Sequence, residues 1–144
     1  MKTANIIKAD IKGLLDNSPL AHYVAHRGGA VYVDTRPTDS TKPDCVISLL
    51  MGETGQVSVK GLLLVKVFYA DKLLGDTWYE NMSMGNVLQK LLYGFSESLM
   101  GNLKYNFSRY GRQVFSEQPK ELEASHQRYA ILRMNFNINN TLIT

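Results

Sequence analysis

Apolar residues recur at Ile7, Ile11, Leu14 and Leu15, with Lys8, Asp10, Lys12 and Asp16 on the other faces. A period near 3.6 predicts an amphipathic helix. Asn17-Ser18-Pro19 ends it, because a proline restricts the residue before it and Ser18 can cap a new turn with Pro19 at its first position. A short second helix is expected over residues 20–25. Arg27-Gly28-Gly29 then opens a turn, and Ala30-Val31-Tyr32-Val33 has strand composition.

Residues 35–44 hold Pro37 and Pro43 among Asp, Ser and Thr, a composition that resists both helix and ladder and predicts an exposed loop. Residues 45–51 form an apolar run of strand length. Gly52-Glu53-Thr54-Gly55 has turn chemistry, so the next strand is expected to return as a hairpin. Across residues 56–69, Val57, Val59, Leu63, Val65, Val67 and Tyr69 share one side, which predicts a long central strand.

Thr77-Trp78-Tyr79-Glu80 matches a capping box and predicts a helix start there, with Ser83 as the rival. The following stripe, Met84, Val87, Leu88, Leu91, Leu92, Phe95 and Leu99, is helical, and Gly101-Asn102 supplies its stop. Gly85 and Gly94 inside it mark either close packing or tolerated surface positions. Strands are expected over residues 105–110 and 112–115. A polar link through Pro119 and Glu123 leads to a last strand over residues 129–138, where Ala130, Leu132, Met134, Phe136 and Ile138 alternate with Arg133, Asn135 and Asn137. The order predicts an α+β fold: an antiparallel or mixed β-sheet with an N-terminal helix and a longer central helix packed on one face.

With 144 residues, 44% hydrophobic and 20% charged, the whole chain is expected to be a single soluble domain. No apolar run approaches the roughly 20 residues of a membrane-spanning helix. No secretory pattern opens the sequence, so residence in a cytosol is expected. The net charge of +3 comes from scattered Lys and Arg and does not by itself mark a nucleic-acid binder.

Candidate chemistry is sparse. The lone Cys45 enters an apolar strand and reads as a small hydrophobe. His22 and His26 have i, i+4 spacing, but Tyr23-Val24-Ala25 between them lacks the glutamate of the metalloprotease motif. Asp34, Asp39, Asp44 and Glu53 fit no calcium loop. No phosphate loop, dinucleotide fingerprint or nucleophile elbow occurs. No catalytic, cofactor-binding or metal-binding residue is therefore assigned, and a non-enzymatic role is expected. Lys104, Arg109, Arg112 and Arg128, interleaved with Tyr105, Phe107, Tyr110, Phe115 and Tyr129, make the best nucleic-acid candidate, against the plainer reading of core aromatics alternating with solvated cations.

The opening helix, Gly29-Ala30-Val31-Tyr32, the loop with Pro37 and Pro43, Val46-Ile47, the strand ending Val67-Phe68-Tyr69, the helix after Trp78 and the strand over residues 129–138 together resemble the tail-completion and tail-terminator proteins of long-tailed bacteriophages. The resemblance spans nearly the whole chain as a pattern, without a diagnostic motif. It implies a structural virion protein at the head-tail junction or tail end, made in the host cytoplasm. Such a protein forms a homo-oligomeric ring, a hexamer or a higher ring such as a dodecamer, that terminates the tail tube and docks it to the connector or stopper proteins. DNA passage through the ring needs no sequence-specific binding. Head-to-tail closure requires two different surfaces to meet. The candidate contacts are Arg36, Thr38, Asp39 and Lys42 in the loop, Glu53 in the turn, and Tyr105, Arg109, Tyr110 and Arg112. The alternatives are another neck or tail ring protein, a stopper or adaptor, and a small nucleic-acid-binding module.

Overall fold

The computed structural model describes residues 3–54, 58–102, 105–107 and 113–139. The first helix, α1, spans Ala4–Asp16 and is capped by Thr3, whose hydroxyl accepts from the Ile6 N–H at 3.3 Å. Ile7, Ile11 and Leu15 form its fully buried stripe, whereas Leu14 sits at the stripe's edge, 40% exposed. Ser18 caps α2, Pro19–His26, with Pro19 in its first turn as the sequence requires.

Five strands make the main sheet: β1 (Val31–Val33), β2 (Cys45–Thr54), β3 (Ser58–Ala70), β6 (Gln113–Glu117) and β7 (Gln127–Asn139), in the spatial order β1-β2-β3-β7-β6. Every neighbouring pair is antiparallel except β1 and β2, which run parallel, so the sheet is mixed. Two short strands, β4 (Lys72–Leu74) and β5 (Thr77–Tyr79), form a separate hairpin between β3 and the long helix α3, Met82–Met100. A 3-10 turn, Lys120–Leu122, lies between β6 and β7.

Alternation places Cys45 and Ile47, Leu63, Val65 and Val67, and Ala130, Leu132 and Met134 on one sheet face. Ile7, Ile11 and Leu15 of α1, Leu20 and Val24 of α2, and Leu88, Leu92, Phe95 and Leu99 of α3 join them in one core. The fold is thus α+β, with the helices on one face of a mixed sheet.

Two expected boundaries move. β2 continues through Gly52 to Thr54 rather than turning at residues 52–55, and its register against β3 shifts between Met51 and Thr54. An extra residue absorbed as a bulge carries the strand past the glycine. The sequence Thr77-Trp78-Tyr79-Glu80 does not cap α3. It enters β5, because Gly75 at φ 65° closes a tight turn that pairs Leu74 with Thr77 and Leu73 with Trp78. Asn81 caps the helix instead, accepting from the Met84 N–H at 3.2 Å, and Ser83 lies inside it.

The two helix glycines separate cleanly. A Cβ on Gly85 would come within 2.8 Å of the Tyr69 hydroxyl oxygen, whereas one on Gly94 would meet open space. Gly85 therefore lets Tyr69 cross the helix surface and donate to Glu80 Oε1 at 3.2 Å. The expected strand at residues 105–110 is reduced, within the described residues, to a single bridge between Phe107 and Phe136.

Candidate functional site

The end of the sheet where β3 stops and β7 starts carries two protruding segments. One is the β4-β5 hairpin, whose Leu73, Leu74, Trp78 and Tyr79, with Met82 just beyond, are all exposed, Leu74 and Met82 by 61% and 65%. Large apolar side chains gathered in one short exposed stretch form the kind of surface on which another molecule can dock. The hairpin is anchored at its root. The Asp71 carboxylate, 5% exposed, accepts from Arg128 Nε at 2.7 Å and from Gln118 Nε2 at 3.3 Å, and the Asp71 N–H donates to the His126 carbonyl. The Trp78 ring lies flat on the His126 imidazole, with centroids 4.0 Å apart and planes at 5°. Burial raises the Tyr69 hydroxyl pKa, and that hydroxyl donates to Glu80. A firmly rooted arm with apolar flanks is suited to docking, because little order has to be gained on contact.

The second segment is the loop over residues 34–44. Parallel pairing of β1 with β2 forces the chain to cross back before it can form β2, and this loop makes the crossing. Arg36, one of the expected contact residues, is engaged within its own subunit. Its guanidinium lies 3.7 Å from the Phe68 ring centroid, donates to Gln127 Oε1 at 2.8 Å and sits 3.8 Å from the Asp44 carboxylate. Burial lowers its pKa, with Asp44 opposing that shift. Asp44 is 1% exposed and accepts from the Ala30 N–H and the Ser40 hydroxyl. Thr38, Asp39 and Lys42 remain exposed at the loop's tip, with Asp39 at φ 62°.

The other expected contacts fall differently. Glu53 lies on β2 near the opposite end of the sheet, and its side chain is outside the described residues, as are Arg109, Tyr110 and Arg112 altogether. Tyr105 is a correction: it is 1% exposed, and its hydroxyl donates to Asp10 of α1. Burial raises its pKa, as do its hydrogen bond to Asp10 and that carboxylate's charge, so the ring is a buried tie between segments and presents no surface.

The same placement dissolves the aromatic-cationic cluster. Phe107 joins Tyr105 in the core, Arg128 is paired with Asp71, and Lys104 lies outside the described residues. Tyr129 is 7% exposed, donates to Glu117 and has its pKa pushed up to about 12, chiefly by burial.

The sheet face away from the helices divides into two halves. Toward the arm, Arg36 covers Phe68, Lys66 stands 4.7 Å from the Tyr129 centroid and Arg133 stands 5.3 Å from that of Phe115. Beneath these groups Val46 and Ile131 are buried. Toward the other end of the sheet, Leu50 pairs with Leu62 and Ser48 with Leu64; Leu50 is 57% exposed and Leu62 and Leu64 are partly so. Lys60 and Arg133 flank them, both exposed.

An open cleft of about 370 Å³ runs between α3 and β6, lined by Tyr69, Glu80, Met82, Gly85, Asn86, Gln89, Val114, Phe115 and Ser116. Of these, Tyr69 and Glu80 are the ionisable groups, and they are already bonded to each other. His22 and His26 are exposed on α2, and among the described residues no three His, Cys, Asp or Glu side chains gather as metal ligands. Asp34 is paired with Lys8 at 2.9 Å and does not join Asp44. Cys45 is fully buried, and burial, with the charges of Asp16 and Asp44, pushes its thiol well above the usual range, the reverse of what a nucleophile needs. No helix among the described residues is long and apolar enough to cross a membrane.

Sequence reasoning missed the arm. The signal was present: Leu73-Leu74-Gly75-Asp76-Thr77-Trp78-Tyr79 has a two-residue Gly-Asp turn between strand-forming pairs. No protein-family model matches the chain. No curated protein matches it either.

Proposed function

We propose that this protein is a structural subunit that assembles into a ring at a bacteriophage head-tail junction or tail end, closing the tail tube and docking it to the connector. The observation that carries the reading is the rooted hairpin Lys72–Tyr79, which leaves Leu73, Leu74, Trp78 and Tyr79 exposed. An assembly role uses such a surface directly. The phage-specific part rests on the resemblance in element order. A stopper or adaptor ring elsewhere in the neck is the neighbouring alternative and draws on the same surface. The nucleic-acid reading loses ground, because Tyr105 and Phe107, two of its stacking candidates, are inside the core.

The deciding experiment is the particle mass by light scattering after size separation, across protein concentration, followed by mixing with tail tubes and connectors. A closed-ring mass, or capture of the chain at tube ends seen by electron microscopy, is the expected result. A single-chain mass at every concentration together with no binding to tubes or connectors would overturn the proposal.

A further inference from the structure

The arm follows the last residue of β3, while the apolar part of the open sheet face lies in the first half of that strand, from Leu62 to Leu64. β3 ends at Ala70, and the arm begins two residues later at Lys72. Leu62 stands eight positions back along β3, about 26 Å away at a rise of about 3.3 Å per residue. Each end is incomplete in a different way. The arm is exposed and apolar, with Asp76 in the turn at its tip. The far patch is a flat sheet surface of Leu50, Leu62 and Leu64 beside Lys60 and Arg133. The near half of that face is already covered by its own Arg36 and Lys66, while Leu50, Leu62 and Leu64 have no such cover among the described side chains.

We infer that the arm of one subunit docks on the Leu50-Leu62-Leu64 patch of a second copy of this chain. The apolar groups match, and the acidic tip meets cationic flanks, so the charges are complementary in that orientation. Because donor and acceptor are different surfaces set apart along one strand, the contact is heterologous. Repetition of it closes a ring or extends a filament, and it leaves no two-fold pair. The inference rests on the assembly reading above and supplies its contact. Asp71, Arg128 and Tyr69 are positioning residues that hold the arm at the angle the contact needs.

The test uses Leu74→Glu on the arm and Leu50→Glu on the patch. Both side chains are more than half exposed, so each variant should keep the wild-type circular dichroism and thermal transition. Each alone should run as a single chain where the wild type assembles, about a sixfold loss of mass if the ring is a hexamer. Mixed one to one, the two should double in mass and stop, because the Leu74→Glu subunit still offers a patch and the Leu50→Glu subunit an arm. A wild type that assembles while either variant keeps its mass would overturn the arm-patch contact and leave ring assembly standing. Two monomeric variants that fail to pair would likewise overturn it. A wild type that stays a single chain throughout and binds neither tubes nor connectors would overturn both the contact and the assembly reading.

Discussion

The loop over residues 34–44 rejoins the sheet at the end from which the arm Lys72–Tyr79 departs, and the two have opposite characters. The loop is polar and proline-bearing, yet its central Arg36 and Asp44 are turned inward, on Phe68, Gln127, Ser40 and Ala30. The arm is short and strand-forming, and it turns large apolar side chains outward. Polarity in a sequence therefore does not say which segment turns its side chains outward. A crossover imposed by parallel strands needs internal ties, because its closure entropy must be met inside the subunit. A hairpin with its own ladder is free to spend its side chains elsewhere.

The sharpest break of this contrast is Asp44→Ala. It removes a buried carboxylate that accepts from Ala30 and Ser40 and faces Arg36, and the loss should be roughly 3 kcal/mol in urea unfolding. A loss below about 1 kcal/mol would mean the crossover is not braced from within. Asp71→Ala should cost less, roughly 2 kcal/mol, since the Arg128 side chain keeps 25% of its surface in water. It should also speed proteolytic cutting between Ala70 and Glu80, and unchanged cutting would count against a rooted arm.

An alkaline titration probes two hydroxyls of the sheet, Tyr129 on β7 and Tyr69 at the root of the arm. Tyr129 stays protonated to about 12 when folded, against about 10 when unfolded, and the pKa of Tyr69 is raised in the same direction. Between those values the native state binds more protons than the unfolded state, so stability should fall as pH rises through that window. Tyr129→Phe should flatten the decline. An equally steep decline in that variant would assign it to other groups. The smallest effects belong to the exposed tips: Thr38→Ala and Leu74→Glu should each change stability by less than about 0.5 kcal/mol. Their difference should appear in particle mass alone, where only the arm variant falls.

Much of the fold was legible because its signals are periodic and local. Ile7, Ile11 and Leu15, the α3 stripe and the alternation from Ala130 to Phe136 each repeat often enough to fix a face. Leu14 and Val87 fitted their stripes yet remain about two-fifths exposed, since periodicity does not reveal how wide a helix's neighbour is. The parallel pairing of β1 was not readable, because three residues finding Cys45, Val46 and Ile47 is a long-range event. Nor was the burial of Tyr105, which depends on Asp10, ninety-five positions away. The arm was misread for a physical reason. Thr77 and Glu80 have capping chemistry, but Gly75 had already committed the chain to a turn, and a ladder formed before a cap was needed.

Cys45 has a use that its chemistry alone does not suggest. Its sulfur is sealed between the sheet and the helices, so an alkylating reagent reaches it only when the domain opens. The rate of modification by a small thiol reagent is then a clock for global opening, readable by mass spectrometry without any added label. Subunits locked into an assembly should tick more slowly than free ones, and second cysteines placed on the surface could carry dyes while the native thiol stays silent.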